Sequence, residues 1–402
     1  MQEFNKKIVE LFNEKAIKEN PTCYVYDLNI LDRQIENVQR YAPPNLKVYY
    51  AMKANPNKDI LKHFSKHKFI ERIEIASIGE LEIASPFFPM SKVLFTGPGK
   101  TEKELELSIR NGIRFINVES IVEAIRINEI AKRLNIAKVP ILLRINTNYC
   151  IYDAEESMAG ISTKMGIDQN TFLQEIEYIK GLPHIDVKGL HVFAATGVLN
   201  YKVLIKYVDY VFAYINRIQE DLFFSIDVID FGGGIGIDYS EYNEEFDCES
   251  FFTELQTLMN DYGFSGKEII MELGRYLVGP AGYYISKILD IKDIKGYKHI
   301  VLAGGINHFH LPYSVGVKCP LYMIHLGEPK LYPEQPIVSQ EKADIGGPLC
   351  MSNDKVAWDE HIEHAEIGDI VVFKQGGAYG YSWSVLKFLS HEYPKEIILQ
   401  KM

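Results

Sequence analysis

The sequence has 402 residues, of which 47% are hydrophobic and 24% charged, and its formal net charge at pH 7 is −11. This composition is typical of a globular protein, and the acidic balance argues against broad electrostatic binding to nucleic acid or to anionic membranes. The chain is longer than one average hydrophobic core needs, so we expect two domains.

Neither the N-terminal segment nor the cysteines indicate export or metal binding. Residues 1–20 are charged and amphipathic without a long apolar stretch, so they do not resemble a signal peptide. No apolar run is long enough to span a bilayer. The five cysteines are scattered and form no C-x-x-C pair. We therefore expect a cytoplasmic protein with mostly structural thiols and no metal.

Short β-rich runs alternate with helical stretches from residue 47 to residue 272. The predicted strands number eight, and they are Lys47–Ala51, Arg72–Ala76, Lys92–Thr96, Arg114–Val118, Val139–Ile145, Val187–Phe193, Val228–Phe231 and Glu268–Glu272. Strands separated by helices indicate parallel βα units, and eight is the number that closes a TIM barrel. An open doubly wound sheet is the alternative.

Helix-start signals follow several of these strands. Asn55 is predicted to be a helix N-cap, with Pro56 as the first helical residue. Ser77, Thr101 and Ser120 each precede a glutamate by three residues, which is the pattern of a capping box. These signals support the alternation of strands and helices.

The pattern changes after residue 272. Tyr283–Ile294, His299–Ala303 and Asp369–Lys374 are predicted strands with no regular helices between them. Cys23–Leu28 is a further predicted strand that precedes the barrel. We expect an α/β fold in which residues 30–275 form the barrel, and residues 1–29 and 276–402 form a mainly antiparallel β domain.

Chemically useful residues follow the predicted barrel strands at their carboxyl ends, where TIM barrels place their active sites. They are Lys53, His191, Phe193, Gly232–Gly234 and Glu272. Taken singly, such a lysine is more often a surface residue, and a glycine triplet is more often a tight turn. The glycines also lack the spacing of a P-loop or of a dinucleotide fingerprint.

Together these residues describe a pyridoxal phosphate site. A lysine amine in a partly dry barrel mouth can form a Schiff base with an aldehyde. A glycine loop can bring backbone N–H groups close to a phosphate. Glu272 lies on the last strand, which adjoins the first on closure, and its carboxylate could keep a pyridine nitrogen protonated.

Ordered motifs along nearly the whole chain resemble the fold type III (alanine racemase-like) pyridoxal phosphate decarboxylases, which include diaminopimelate, ornithine and arginine decarboxylases. The motifs are YYAMKAN around Lys53, EIASIGEL (Glu74–Leu81), STKMGI (Ser162–Ile167), DFGGGIG, MELGRY around Glu272, GPLCMSND (Gly347–Asp354) and GAYG around Tyr379. The resemblance implies a TIM-type barrel with a C-terminal β domain, and a homodimer whose active sites are shared.

The resemblance also implies a role for each matched residue. Lys53 would be the cofactor lysine, Glu272 would face the pyridine nitrogen, and Cys350 of the partner subunit would return a proton to Cα. The remaining residues implied to hold the cofactor are Glu74, Phe193, Thr196, Gly233, Gly234, Gly274, Arg275, Tyr276 and Tyr379. Glu272 argues against a racemase, since alanine racemases of this fold place an arginine at the ring nitrogen.

The chain departs from the family pattern at positions that concern the substrate. Phe193 replaces the ring-stacking histidine, although a phenyl ring still offers a flat apolar face. Met351 replaces the acidic residue that meets the distal ammonium group of a diamino acid, and methionine cannot pair with a cation. Leu311 replaces an arginine that diaminopimelate decarboxylases use. A free diamino acid is therefore disfavoured as the substrate.

These departures resemble a branch of the family that decarboxylates masked amino acids, including citryl conjugates made during siderophore synthesis. We expect N-citrylornithine as substrate, followed by citryl-diaminopropionate. The alternatives are diaminopimelate decarboxylase, decarboxylation of a glutamyl group on an acyl carrier protein, and a non-catalytic cofactor carrier, which should lack the second domain. Candidate substrate-binding residues are Arg144, Lys164, His191, His308, His310, Met351 and Asp354.

Overall fold

The computed structural model describes residues 2–151, 156–222, 225–240 and 245–399. The α-helices of these residues, in chain order, are α1 (Gln2–Asn13), α2 (Lys15–Glu19), α3 (Leu28–Tyr41), α4 (Lys58–Ser65), α5 (Ile78–Ala84), α6 (Glu102–Arg110), α7 (Ile121–Arg133), α8 (Gln169–Lys180), α9 (Tyr201–Leu222), α10 (Cys248–Asp261), α11 (Arg275–Val278) and α12 (Leu311–Val315). Short 3-10 helices are formed by Met52–Ala54, Met90–Lys92 and Phe388–Ser390. No helix in the described ranges is long and apolar enough to cross a membrane.

The strands, also in chain order, are β1 (Thr22–Asp27), β2 (Leu46–Ala51), β3 (Arg72–Ile75), β4 (Val93–Phe95), β5 (Phe115–Val118), β6 (Val139–Asn146), β7 (Glu156–Ser157), β8 (Ile167–Asp168), β9 (Ile185–His191), β10 (Ala195–Thr196), β11 (Val228–Asp230), β12 (Glu268–Leu273), β13 (Gly282–Ile294), β14 (Tyr297–Leu302), β15 (Leu321–Ile324), β16 (Val338–Gly346), β17 (Lys355–Ala365), β18 (Ile370–Phe373) and β19 (Lys395–Leu399). The chain divides into two compact units. The barrel unit comprises the described parts of residues 33–237 and 244–276, and the β unit comprises those of residues 1–32, 238–243 and 277–402.

The barrel unit contains a closed parallel sheet. Its strands run in the order β2-β3-β4-β5-β6-β9-β11-β12, and β12 then pairs with β2 in parallel. Closure excludes the open doubly wound sheet, so the predicted barrel is confirmed. The observed strands correspond to those predicted, with ends that differ by one or two residues. Because all these strands are parallel, their carboxyl ends meet on one face of the barrel.

Large apolar side chains fill the interior of the barrel. One buried cluster takes a single residue from each of six strands, namely Tyr49, Leu94, Phe115, Leu142, Val228 and Ile270. Strands on opposite sides of a barrel can share a cluster only inside it, so these residues form an internal layer. The interior below the strand ends is thus a packed core.

The predicted helix starts are correct at three positions and wrong at one. Thr101 and Glu104 form a complete capping box, and the hydroxyls of Ser77 and Ser120 accept hydrogen bonds from the N–H groups three residues later. Asn55, however, is not an N-cap. A 3-10 turn follows β2, and the Asn57 side chain caps α4 instead, accepting from the N–H groups of residues 59 and 60.

The β unit contains a mainly antiparallel sheet. Its strands run in the order β15-β18-β13-β14-β16-β17, and β1 and β19 extend it beside β13. The amphipathic helix α1 packs Ile8 and Phe12 against Cys23 and Val25 of β1 and neighbouring strands. The N-terminal segment therefore covers one face of this sheet, which explains its apolar stripe.

Candidate functional site

Lys53 lies at the carboxyl end of the barrel, in the 3-10 turn that follows β2. Its amine is 3.0 Å from Oε1 of Glu74 and 3.1 Å from Oε2. The lysine side chain is 41% exposed, whereas the Glu74 side chain is 1% exposed. A buried carboxylate thus orients an amine that a small molecule in the barrel mouth could still reach.

Glu272 lies at the end of β12, beside β2 in the closed sheet. Its Oε1 is 3.8 Å from Nε2 of His191, and both side chains are buried. Asp230 completes this group, because one oxygen or nitrogen atom of each of the three side chains lies within 4.8 Å of the others. The three residues come from the neighbouring strands β9, β11 and β12, which explains how distant sequence positions converge.

Burial is the largest influence on the pKa values of the three side chains in this cluster. Burial, reinforced by the charges of Glu74 and Asp230, raises the pKa of Glu272 well above its usual range. Burial also raises the pKa of Asp230. For His191, burial and the nearby charge of Arg144 hold the pKa well below its usual range, so the imidazole is neutral at physiological pH.

The glycine triplet after β11 forms a tight cradle. Gly232 and Gly234 have φ values of +70° and +107°, a region that favours glycine. A Cβ atom at Gly233 would clash with the carbonyl oxygen of Glu272, and one at Gly234 would clash with that of Ala195. The backbone therefore approaches its neighbours so closely at Gly233 and Gly234 that only glycine fits at these positions.

Phe193 lies against this cradle, since a Cβ atom at Gly232 would clash with its ring. Phe193 and Thr196 are both half-buried. Gly274 has a similar constraint, because a Cβ atom there would press on Ala51 and Ala54, on either side of Lys53. The predicted cofactor residues of the barrel unit thus occupy one connected region at its carboxyl face.

Arg275 and Tyr276 are both buried. The Tyr276 hydroxyl accepts a 2.8 Å hydrogen bond from the amide of Asn37 and lies 3.2 Å from the sulfur of Cys248. The Tyr276 hydroxyl is thus engaged within the protein, and the predicted phosphate contact of residues 274–276 remains a prediction.

The barrel residues predicted to bind substrate differ in their exposure. Arg144 is buried and donates a 2.9 Å hydrogen bond to Glu119, so its charge is already neutralised inside the protein. Glu119 also accepts from the backbone N–H groups of Gly97 and Gly166. We therefore correct the expected role of Arg144 to one of structure. Lys164 is exposed and remains a candidate.

The β unit holds the cysteine loop. Cys350 is exposed, and Met351 beside it is 37% exposed. Asp354, in contrast, is buried, and its two oxygens accept hydrogen bonds from the N–H groups of Ile306 and Leu349. Asp354 therefore ties the cysteine loop to residues 305–306. This contact corrects our expectation that Asp354 binds substrate directly.

The two predicted histidines of the β unit differ. His308 is buried, its backbone carbonyl accepts a 2.7 Å hydrogen bond from Tyr24, and burial lowers the pKa of its side chain to about 4. His310 is half-buried, its ring lies 5.3 Å from that of Tyr313, and burial lowers its pKa. His310 is thus the more accessible candidate, while His308 belongs to the core of the unit.

Tyr379 of the β unit has a φ of +59°, a left-handed conformation that is uncommon for a tyrosine. Its ring packs against Trp383 with centroids 5.9 Å apart. Strained backbone of this kind is concentrated at functional sites, which agrees with a binding role for Tyr379. Its predicted contact with a phosphate remains a prediction.

Sequence reasoning missed several residues that the barrel mouth brings together. Asp230 was visible as an acidic residue in an apolar strand just before the glycines, which was the available signal. The side-chain amide nitrogen of Asn117 donates a 2.9 Å hydrogen bond to Nδ1 of His191. Lys100 is buried and donates to Glu123 at 2.8 Å. The contacts of Asn117 and Lys100 depend on barrel closure and leave no local pattern.

The barrel mouth fits a phosphorylated pyridine aldehyde. The accessible amine of Lys53 matches the aldehyde, the glycine cradle matches the phosphate, and the apolar ring of Phe193 matches the pyridine face. Oε1 of Glu272 is buried and accepts no hydrogen bond from the described residues, so a ring N–H would supply the missing donor. The expectation that no metal binds here remains a prediction.

Comparison with known proteins places these features in context. Residues 28–279 match the family model described as "Pyridoxal-dependent decarboxylase, pyridoxal binding domain". The chain is 32% identical, over 94% of both chains, to a 2-[(L-alanin-3-ylcarbamoyl)methyl]-2-hydroxybutanedioate decarboxylase of Staphylococcus aureus. It is 28% identical to an L-glutamyl-[BtrI acyl-carrier protein] decarboxylase of Niallia circulans, over 93% of this chain and 88% of the other.

A similar solved structure is that of diaminopimelate decarboxylase from Helicobacter pylori complexed with L-lysine. The TM-score is 0.83 with 26% identity, covering 94% of this chain and 91% of that one.

Proposed function

The chain belongs to the pyridoxal-dependent decarboxylases, and we propose that it removes CO2 from an amino acid whose distal nitrogen is masked by a citryl group. As a member, it is a carboxy-lyase with the alanine racemase-like fold, and its cofactor is pyridoxal 5′-phosphate. The substrate and the quaternary structure are the parts that require a proposal.

Each residue of the barrel mouth has a distinct task in this reaction. Lys53 offers the amine that binds the cofactor aldehyde, and Glu74 holds that amine in place. Glu272 would accept a hydrogen bond from the ring nitrogen, and Phe193 would present a flat apolar face to the ring. When bound, the cofactor would supply the electron sink that decarboxylation requires. Cys350 of a second copy then returns one proton to Cα.

The proposal for a masked substrate depends chiefly on Met351. This side chain is 37% exposed and follows Cys350 directly, in the place where the family's diamino acid enzymes have an acidic residue. A thioether offers no charge to an ammonium group, so a free diamino acid would lose its distal partner. An amide nitrogen carries no charge and requires no such partner.

Polar side chains near the cysteine loop could form hydrogen bonds with the far end of a citryl group. The amide of Asn353 donates a 3.0 Å hydrogen bond to the hydroxyl of Tyr313, and the Tyr313 ring lies beside that of His310. These side chains offer neutral hydrogen-bond donors to carboxylate and hydroxyl groups. With the exposed Lys164 they replace Arg144, His308 and Asp354 as our candidates for substrate contact.

The side-chain length of the amino acid in the proposed substrate can be tested directly. The name of the Staphylococcus aureus relative describes an amide between citrate and the 3-amino group of 2,3-diaminopropionate. This similarity favours diaminopropionate over the longer ornithine that we predicted from the sequence.

A role in siderophore synthesis follows from the resemblance to the family branch that decarboxylates citryl conjugates, and it is part of the proposal. A cytoplasmic location is also part of the proposal.

The decisive experiment is a substrate panel with the purified protein. CO2 release would be measured from citryl-diaminopropionate, N-citrylornithine, diaminopimelate, ornithine and a carrier-protein-bound glutamate. We expect turnover of a citryl conjugate and none of the free diamino acids. Turnover of free diaminopimelate would instead indicate a diaminopimelate decarboxylase of lysine biosynthesis. The similar solved structure from Helicobacter pylori suggests this alternative.

We also propose a homodimer in which Cys350 completes the active site of the other copy. Large apolar side chains near the C-terminus are exposed and would be covered by a partner; they are Trp383, Val385, Phe388 and Leu389. Mixing inactive Lys53→Ala and Cys350→Ala proteins tests the sharing. Mixed dimers should regain activity, because one of their two sites has both residues intact. No recovery from a confirmed mixed dimer would exclude the shared site.

A further inference from the structure

Asp230 is a fully buried carboxyl group to which the proposed reaction gives no task. It ends β11, and its Oδ1 accepts a 2.9 Å hydrogen bond from the N–H of Gly232, the first residue of the glycine cradle. Burying a carboxyl group is costly unless its oxygens are satisfied. The environment of its second oxygen therefore needs an explanation.

Asp230 lies in the same buried cluster as Glu272 and His191. Among the described residues, no N–H or O–H group donates a hydrogen bond to Oδ2 of Asp230 or to Oε1 of Glu272. Both carboxyls belong to the cluster whose oxygen and nitrogen atoms lie within 4.8 Å of one another. Two ionised carboxylates at this separation would repel each other strongly in a buried site. A proton between the two carboxyl groups would supply the donor that Oδ2 of Asp230 lacks.

We infer that Asp230 is a positioning residue that shares one proton with Glu272, so that the pair carries a single negative charge. The shared proton bridges one oxygen of each carboxyl group and so fixes the orientation of Glu272, leaving a single negative charge on the pair near the ring nitrogen. Only an O–H bond is involved, and no electrons are transferred. Asp230 does not touch the substrate.

The neighbouring charges agree with a pair of net charge −1. Cations and anions face the pair from the other strands of the barrel mouth, and these groups are Lys53, Glu74, Lys100, Arg144 and His191. Glu74 is already paired with Lys53, and Arg144 with Glu119. His191 is neutral because burial lowers its pKa, so it adds no cation that would favour two ionised carboxylates.

Infrared difference spectroscopy of the full-length protein tests this inference without any substrate. A protonated carboxylic acid has a carbonyl stretch distinct from that of a carboxylate. We expect the wild-type protein, with and without cofactor, to retain such a band at pH 7. Asp230→Asn should lose it at pH 7, since Glu272 then has no second carboxyl group with which to share a proton.

Asp227→Asn is the matched control, because Asp227 is exposed at the opposite end of the same strand. It should leave the band unchanged. If Asp230→Asn fails to fold, Glu272→Gln removes the other half of the pair and should also abolish the band. A wild-type protein without the band at pH 7, or an Asp230→Asn protein that keeps it, would overturn the inference. The inference depends on the cofactor site alone, so a failed substrate panel would leave it standing.

Discussion

The amine of Lys53 and the carboxylate of Glu74 form a two-pronged contact, with the amine 3.0 Å from Oε1 and 3.1 Å from Oε2. Lys53 directly follows β2 and Glu74 lies on the neighbouring strand β3, so the pairing of these strands positions the lysine before any ligand binds. Such preorganisation removes an ordering cost from cofactor binding.

Lys53 should be the residue that borohydride links to the cofactor. Reduction of the loaded protein, followed by peptide mass mapping, should locate the modification at Lys53. Lys53→Ala should abolish it and lower the decarboxylation rate by at least about a thousandfold, since the covalent route is lost. Lys58→Ala, an exposed lysine at the start of α4, should behave as wild type. Modification of another lysine would contradict the assignment.

Gly233→Ala should weaken both the fold and cofactor binding. The added methyl group would clash with the carbonyl oxygen of Glu272, so strands β11 and β12 would have to separate. We expect a loss of about 1–3 kcal/mol in the free energy of unfolding together with a higher cofactor Kd. Urea denaturation and fluorescence titration would measure the two effects.

Gly266→Ala is the control for this change, because nothing lies within 4 Å of a Cβ atom there. An alanine at residue 233 that leaves cofactor affinity unchanged would show that the cradle is not the phosphate site.

Glu119→Gln should destabilise the barrel strongly. It would leave Arg144 buried with an uncompensated charge, and the two side chains are only 5% and 2% exposed. Removing one partner of a buried ion pair typically costs about 3–5 kcal/mol. Thermal unfolding would show the loss as a lower Tm. Asp221→Asn, which breaks an exposed pair with Arg217, should leave Tm within experimental error.

His308 should make the fold sensitive to acid. Burial, with a smaller contribution from the charge of His391, lowers its pKa to about 4. In the unfolded chain a histidine binds its proton near pH 6.5, so acidification through this interval favours unfolding. The loss approaches about 3 kcal/mol by pH 4.

Urea denaturation at several pH values would isolate this contribution as the difference between the wild type and His308→Gln. The difference should vary between pH 6.5 and 4 and be constant above that interval. His361→Gln, at an exposed position, should parallel the wild type throughout. A constant difference for His308→Gln would show that the histidine is not held neutral in the fold.

Met351→Glu should shift substrate preference toward free diamino acids. The new carboxylate would attract a distal ammonium group and repel the carboxylates of a citryl group. At a partly exposed position we expect about a tenfold change in the ratio of kcat/KM values. Met351→Leu preserves size and apolarity, so it should keep the wild-type ratio. An unchanged ratio in the glutamate variant would remove the main support for a masked substrate.

The barrel was predictable because its evidence is local. Each strand is a short apolar run, and helix starts such as Thr101 carry their own signal in the next three residues. Asn55 shows the limit of this evidence. The sequence Asn55-Pro56-Asn57 offers two asparagines as caps, and the turn that holds Lys53 displaces the helix start to the second. Local propensity does not encode such a shift of two residues.

The contacts of buried polar residues were not predictable for a different reason. From the sequence alone, Arg144 was expected to offer its charge to a substrate, but the folded barrel places Glu119 beside it. Asp354 reads as a substrate ligand, but two backbone N–H groups from separate segments use its oxygens. In both cases the partner is fixed by tertiary structure, which no short motif specifies.

The contact between Gly233 and the carbonyl oxygen of Glu272 has a consequence for protein engineering. It joins the cradle directly to the strand that bears Glu272, so the distance between the cradle and that strand cannot be adjusted by substitution at residue 233. Variant libraries that seek new substrates should hold this position constant and vary the exposed loop around Met351. Under the proposed roles, chemistry and selectivity would be separable in this scaffold, because Gly233 and Met351 belong to different structural units.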